Sequence, residues 1–195
     1  MKINELVFAT QNPHKLDEIQ LMVPDGIKLQ GLQDIGCTES IPEISDSLQG
    51  NARNKALYIF ENYGLNCFAD DTGLEVEALG GRPGVFSARY AGPACDSQAN
   101  IQKLLGELGS NSNRKAQFRT VIALCLDGNI TYFEGKVKGE ILLQPQGSGG
   151  FGYDSIFKPQ ALNVSFATCT PAEKNKISHR GIAFRNFAAY LQQRP

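Results

Sequence analysis

The sequence predicts a mixed α/β fold, with helices flanking a mixed β-sheet, in one domain over residues 1–195 with no internal linker. Segments of helical and strand periodicity alternate along the whole chain, the pattern of helices packed on a sheet. Two long strand-like runs, Ala116 to Leu126 and Ile130 to Leu143, meet at Asp127-Gly128-Asn129. An Asp-Gly pair between strands marks an antiparallel hairpin, which excludes a purely parallel, doubly wound sheet. The third observation is size. At 195 residues, with 42% hydrophobic and 20% charged content, the chain buries a full core as one domain with room for two lobes.

The first element is the apolar strand Leu6 to Ala9. It runs through Thr10-Gln11-Asn12-Pro13-His14-Lys15 into the helical pattern Leu16, Ile19, Leu21 and Met22. Asn12 before Pro13 fits an N-cap with proline at the first helical position. Lys28 to Leu32 reads as a short strand, followed by a polar stretch through Glu39, Pro42, Glu43 and Ser45. Leu48 to Tyr63 has helical spacing, with Ala52, Ala56, Ile59 and Phe60 on one face and Gly64 as its stop. Cys67-Phe68-Ala69 is a buried strand that ends in Asp70-Asp71-Thr72-Gly73, with a turn at Thr72-Gly73, and Leu74 to Ala78 alternates as a half-buried strand should. Gly80 to Gly84 is a loop. Asp96 to Leu108 is a helix with Ile101, Leu104, Leu105 and Leu108 as its stripe. After the hairpin, a glycine-rich loop reaches Phe151-Gly152-Tyr153-Asp154. One last helix starts at Thr170, Pro171 and Glu173, a capping box, and buries Ile177, Phe184, Ala188 and Leu191.

Composition narrows the function classes. A formal net charge of -1 argues against a nucleic-acid polymer or an anionic membrane as the main partner. The five cysteines are odd in number and form no Cys-x-x-Cys pair, so neither a disulfide framework nor a zinc site is indicated. Met1 to Glu5 lacks a signal-peptide core, and no apolar run is long enough to span a bilayer. A cytoplasmic protein is expected.

The strand-to-helix hexad has two readings. A helix N-terminus gathers backbone N–H groups at its positive end and cradles phosphate, to which Lys15 would add a mobile charge. An ordinary capped helix explains Thr10 to Lys15 equally well. Asp70-Asp71 by itself is more often turn chemistry than catalysis. Adjacent strand residues face opposite sides, so the two carboxylates are not expected in one pocket. Their place at a strand end, where α/β ligands bind, raises their standing. Glu43 alone would be solvated surface; it becomes a magnesium ligand only if a triphosphate site needs a hard cation.

Gly147 to Gly152 formally matches Gly-x-Gly-x-x-Gly, but a dinucleotide fingerprint must open a helix and this run leads into Tyr153-Asp154-Ser155. No Walker-type loop occurs either. The glycines suit a flat ligand approached by backbone donors, with Phe151 or Tyr153 stacking on a base; core packing is the commoner fate of an aromatic. Lys174, Lys176, His179 and Arg180 crowd the last helix start, where a solvated basic face is the ordinary explanation. Cations in a first helical turn oppose the dipole, which suggests an anion nearby.

Taken together, these segments resemble the inosine triphosphate pyrophosphatase family, the Ham1-like purine nucleotide hydrolases. The match runs from Phe8 to the C-terminal helix. It rests on Thr10-x-Asn12-x-x-Lys15, Asp70-Asp71-Thr72-Gly73-Leu74, Leu79 to Gly84, Ser87-Ala88-Arg89-Tyr90, Gly150 to Asp154 and Glu173 to Arg180, in the family's order.

The resemblance implies a homodimer of elongated two-lobed subunits on a long mixed sheet, with the nucleotide between lobes. It implies Mg2+-dependent hydrolysis of inosine, deoxyinosine and xanthosine triphosphates to the monophosphate and pyrophosphate. Asp71 would be proton acceptor and metal ligand, and Glu43 the second metal carboxylate. Thr10, Gln11, Asn12, Pro13, His14, Lys15 and Lys174 would hold the phosphates, with Thr72 beside them. Phe151, Gly152, Tyr153, Asp154, His179 and Arg180 would embrace the base. An Arg180 donor to a 6-oxo group would reject adenine, whose amino group leaves buried donors unpaired.

Two departures stand out. Gly50 occupies a position where bacterial relatives often carry glutamate, and Ser40-Ile41-Pro42 differs from the usual acidic-glycine approach to Glu43. Two competing functions remain: a non-catalytic nucleotide-binding module, and a Maf-like pyrophosphatase of pyrimidine or modified nucleotides. A binding module has no need of a water-activating carboxylate, and His179-Arg180 with Phe151 to Asp154 argues against the second.

Overall fold

The computed structural model describes residues 4–20, 22–24 and 26–193. The predicted apolar position Leu21 and the residues Met1 to Ile3 and 194–195 lie outside them. Strand β1 (Glu5–Phe8) is followed by α1 (Pro13–Gln20), β2 (Lys28–Gln30), α2 (Leu48–Tyr63) and β3 (Cys67–Val76). Both β2 and β3 pair with β1 in parallel. The short β4 (Pro83–Gly84) lies antiparallel on β3. Helix α3 (Ser97–Leu108), the hairpin of β5 (Lys115–Leu126) and β6 (Asn129–Ile141), and β7 (Phe157–Pro159), antiparallel to β6, come next. The chain closes with α4 (Pro171–Ile177) and α5 (His179–Gln192). Among the described residues seven strands form one mixed sheet in the order β2-β1-β3-β5-β6-β7, with β4 on β3. The expected hairpin forms with Asp127 at φ 49° and Gly128 at φ 80°. Positive φ at both central residues matches the strand twist.

The chain divides into two compact units. One comprises the residues up to Asp71, Thr120–Gly135 and those from Ile182; the other comprises Thr72–Arg119 and Lys136–Gly181. In the first unit both faces of the sheet are covered, so β1 reads as an unbroken apolar run rather than an alternating one. Val7 and Ala9 pack with Ala52, Ala56 and Ile59 of α2. Leu6 and Phe8 point the other way, onto Phe68, Phe184 and Phe187. Phe8 and Phe68 stack at 4.6 Å, and each buried ring contributes about 1.5–3 kcal/mol. In the second unit Leu74, Val76, Phe118 and Phe157 meet the α3 stripe Ile101, Leu104 and Leu108. Among the described residues no helix is long and apolar enough to cross a membrane.

Two sequence expectations need correction. Asp70-Asp71-Thr72-Gly73 is not a turn: β3 runs straight through it, and the strand ends at Val76, with Glu77–Leu79 in a 3₁₀ turn. Turn-forming residues are kept extended here because their side chains meet partners elsewhere in the fold. The last helix is two helices. Ser178 is extended (φ -73°, ψ 155°), its N–H closing α4 on the Lys174 carbonyl. Its hydroxyl accepts from the Gly181 N–H at 3.0 Å, opening α5. The capping box at Thr170 and Glu173 forms as expected.

Candidate active site

In the first unit the hexad is a capped helix. Thr10 Oγ1 accepts from the Asn12 N–H at 3.2 Å, and Asn12 Oδ1 accepts from those of His14 (3.0 Å) and Lys15 (3.4 Å). Donors expected to face a phosphate are therefore engaged by side chains of the same loop. Pro13, His14 and Gln11 are exposed, and Gln11 donates to the Glu39 carbonyl at 2.9 Å. Lys15 reaches across to Asp70, 2.8 Å away.

Asp71, one residue on, has different partners, as the strand alternation requires. It accepts from Asn51 Nδ2 at 3.1 Å and lies 3.5 Å from Lys55 Nζ. Lys55 also contacts Glu43 at 2.8 Å, so one ammonium joins the carboxylates of Glu43 and Asp71. Burial pushes the Asp71 carboxyl above the usual carboxylate range. Lys55 and Lys15 oppose that rise, and nearby Glu43 adds to it. Burial pulls the Lys55 ammonium down, but Asp71, Glu43 and Asp70 outweigh it and the net shift is upward. Asp71 is thus a buried carboxylate raised in basicity, held by an amide and a lysine.

In the second unit Arg180, buried at 1% exposure, donates to Thr72 Oγ1 at 3.2 Å. Asp154 Oδ2 accepts from the Phe151 N–H at 2.8 Å and from Lys174 Nζ at 2.7 Å. The Phe151 ring has Lys174 Nζ 4.6 Å and Arg180 Cζ 5.7 Å from its centroid, a cation–π arrangement. His179 stacks on Phe118 at 4.5 Å and 15°. Tyr153 is packed in the core, its hydroxyl donating to the Ser87 carbonyl at 2.9 Å. Of the two candidate stacking rings it is therefore Phe151, with Gly152 beside it, that carries cations. Lys174, expected with the phosphates, stands with the base-side residues. A groove of about 870 Å³ lies elsewhere in this unit, lined by Glu75, Gln117, Lys138, Glu140 and Lys158. Polar side chains there pair with one another, Gln117 donating to Glu75 and Lys158 in an ion pair with Glu140, at 2.6 Å each, as on a solvated sheet face.

The family model described as the Ham1 family matches residues 6–190. The chain belongs to the Ham1 family. It is 53% identical to a dITP/XTP pyrophosphatase of Christiangramia forsetii over 97% of this chain and all of that protein. It is 41% identical to one from Bacillus subtilis over 97% of this chain and 98% of that protein. Among solved structures, a HAM1 protein from Coxiella burnetii superposes with a TM-score of 0.91 at 38% identity, covering both chains fully. The Staphylococcus aureus Ham1 protein gives 0.88 at 36% identity, covering 96% of this chain and 98% of that one.

Within this Ham1 fold the sequence reading assigned no site role to four site-shaping residues: Asn51, Lys55, Ser87 and Phe118. A signal for the first two was present. Asn51 and Lys55 share the face of α2 that buries Ala52 and Ala56, and a lysine or amide in an apolar stripe needs a buried polar partner. Ser87 and Phe118 carried no such signal, because their partners come from distant elements.

Proposed function

We propose that this protein hydrolyses the 6-oxopurine triphosphates ITP, dITP and XTP to monophosphate and pyrophosphate, clearing them from the nucleotide pool. The observation that carries the reading is Asp71, a buried carboxylate of raised basicity beside Glu43, in a chain whose relatives are named dITP/XTP pyrophosphatase. A buried carboxylate joined to a second one through a shared lysine suits a group that orients a water and takes its proton. Asp71 orients a water and accepts its proton as the oxygen attacks the α-phosphorus. The α-phosphorus bond to the bridging oxygen breaks, and pyrophosphate leaves.

Lys15 and Lys55 supply positive charge for the phosphates, and the Thr10 to Lys15 loop shapes their seat. Phe151 offers a ring face to the base, and Lys174 with Asp154 fixes that ring. Arg180 donates to the 6-oxo group; adenine presents a donor at the same place and loses the contact.

Glu43 and Asp71 suit Mg2+, which is held through one or two carboxylates together with waters and substrate phosphates. Among the described residues no group of three or more His, Cys, Asp or Glu forms a richer metal site. When bound, magnesium supplies charge neutralisation for the leaving pyrophosphate. A cytoplasmic homodimer completes the reading, and light scattering of the purified chain tests the dimer.

The experiment is a side-by-side Mg2+ assay on ITP, XTP, ATP, GTP and dTTP, with pyrophosphate and orthophosphate measured separately. Pyrophosphate from ITP and XTP, with little from the rest, is the expected result. Orthophosphate overturns the mechanism, preference for dTTP points to Maf-like specificity, and binding without release leaves a non-catalytic module.

A further inference from the structure

The Gly50-Asn51 pair in the first turns of α2 has a use that the reaction chemistry does not by itself require. Asn51 is fully buried and both ends of its amide are engaged. Its Oδ1 accepts from the Ser45 N–H at 2.9 Å, and its Nδ2 donates to Asp71 Oδ2 at 3.1 Å. Ser45 lies two residues beyond Glu43, so one side chain ties the Glu43 loop to the strand that carries Asp71.

Gly50 lets that loop come close. A Cβ there would overlap the Ser45 side chain and fall 2.9 Å from Ser47 Oγ. Ser47 in turn caps α2, accepting from the Gly50 N–H at 3.1 Å. The other end of the loop is pinned by buried Ile41, which packs with Ala52 and Ala56, whereas Ile44 is exposed. Glu43 is therefore held between two fixed points.

We infer that Gly50 and Asn51 form a clamp that sets the position of Glu43 relative to Asp71, with Asn51 as a positioning residue for the metal carboxylates. This rests on the reading of Glu43 and Asp71 as metal ligands. An asparagine suits the role because it donates to a carboxylate and accepts from a backbone N–H while adding no charge. Donation to Oδ2 also fixes which carboxylate oxygen, Oδ1, faces Lys55. Partners that orient ligating carboxylates typically change metal affinity by about 10–100-fold when removed.

The test uses the whole chain with Mn2+ alone as probe, its free concentration followed by electron paramagnetic resonance. Half-saturating Mg2+ in ITP turnover and thermal melting are measured beside it. Asn51→Leu is expected to weaken Mn2+ binding, and to raise half-saturating Mg2+, by about tenfold or more. KM for ITP at saturating metal should change much less. Gly50→Ala should move metal binding the same way by a smaller factor, although alanine favours the helix, and it carries the test if Asn51→Leu does not fold. Wild-type-like Mn2+ binding in both variants, with only lowered melting temperature, overturns the clamp and leaves a structural amide. Absence of Mn2+ binding by the wild type, with turnover intact, also overturns it. Mn2+ binding that depends on Asn51 in a protein releasing no pyrophosphate sustains the clamp and removes the proposed reaction.

Discussion

Replacing Lys55 by methionine isolates the electrostatics of the carboxylate pair. Methionine keeps the helix propensity and most of the length of the side chain and removes its charge. Lys55 Nζ lies 2.8 Å from Glu43 and 3.5 Å from Asp71, and all three side chains are mostly buried, at 10%, 27% and 8% exposure. Removing one partner from a buried ion pair costs about 3–5 kcal/mol. The exposure of Glu43 places this case near the low end, about 3 kcal/mol. For a domain of this size that lowers the melting temperature by about 6–12 °C.

The loss has a definite pH dependence. Lys55 holds the Asp71 carboxyl down against the upward push of burial, so removing it raises that carboxyl further. A carboxyl raised in the folded state destabilises once pH climbs past the unfolded value near 4 toward the folded one. The penalty is absent below both. The gap between wild type and Lys55→Met should therefore be widest near neutrality and shrink in acid. Metal-free melts from about pH 4.5 to 8 measure it. A gap under about 2 °C at neutral pH, or one that widens in acid, refutes the reasoning.

Other substitutions probe the remaining roles. Asp71→Asn should lower kcat by about 10²–10⁴-fold while circular dichroism stays close to wild type; turnover within tenfold would remove Asp71 from the chemistry. Arg180→Met should reduce the ratio of kcat/KM for ITP over ATP by on the order of 10²-fold, the loss of a buried donor, and an unchanged ratio would free Arg180 from base recognition. Backbone and side-chain bonds from Thr170 hold the Glu173 carboxyl below its ordinary value. A depressed carboxyl stabilises above its unfolded pKa and loses that effect as pH falls through the folded one. The wild type's melting advantage over Glu173→Gln should thus shrink as pH falls below the ordinary glutamate value of about 4.3, and a gap constant with pH would contradict the capping account.

Elements with local signals at both ends were readable in the sequence. Helix α2 starts and stops where predicted, because Ser47 caps it and Gly64 closes it in the left-handed conformation. The hairpin followed from Asp127-Gly128 for the same reason. Strand β3 was misread because Asp70-Asp71-Thr72-Gly73 favours turns locally. Its extended form depends on Lys15, Asn51, Lys55 and Arg180, which come from other elements. The break at Ser178 involves neither glycine nor proline, so nothing local announced it. In the candidate site, residue types were readable but pairings were not. Lys174 on Asp154 and Tyr153 in the core are settled by packing over long sequence separations, as is the amide of Asn51 between two carboxylate-bearing segments.

The most direct test of the central claim is turnover of ITP in ¹⁸O-labelled water, with mass spectrometry of both products. Attack on the α-phosphorus places one labelled oxygen in inosine monophosphate and none in pyrophosphate. Label in pyrophosphate, or in orthophosphate released with inosine diphosphate, would contradict it.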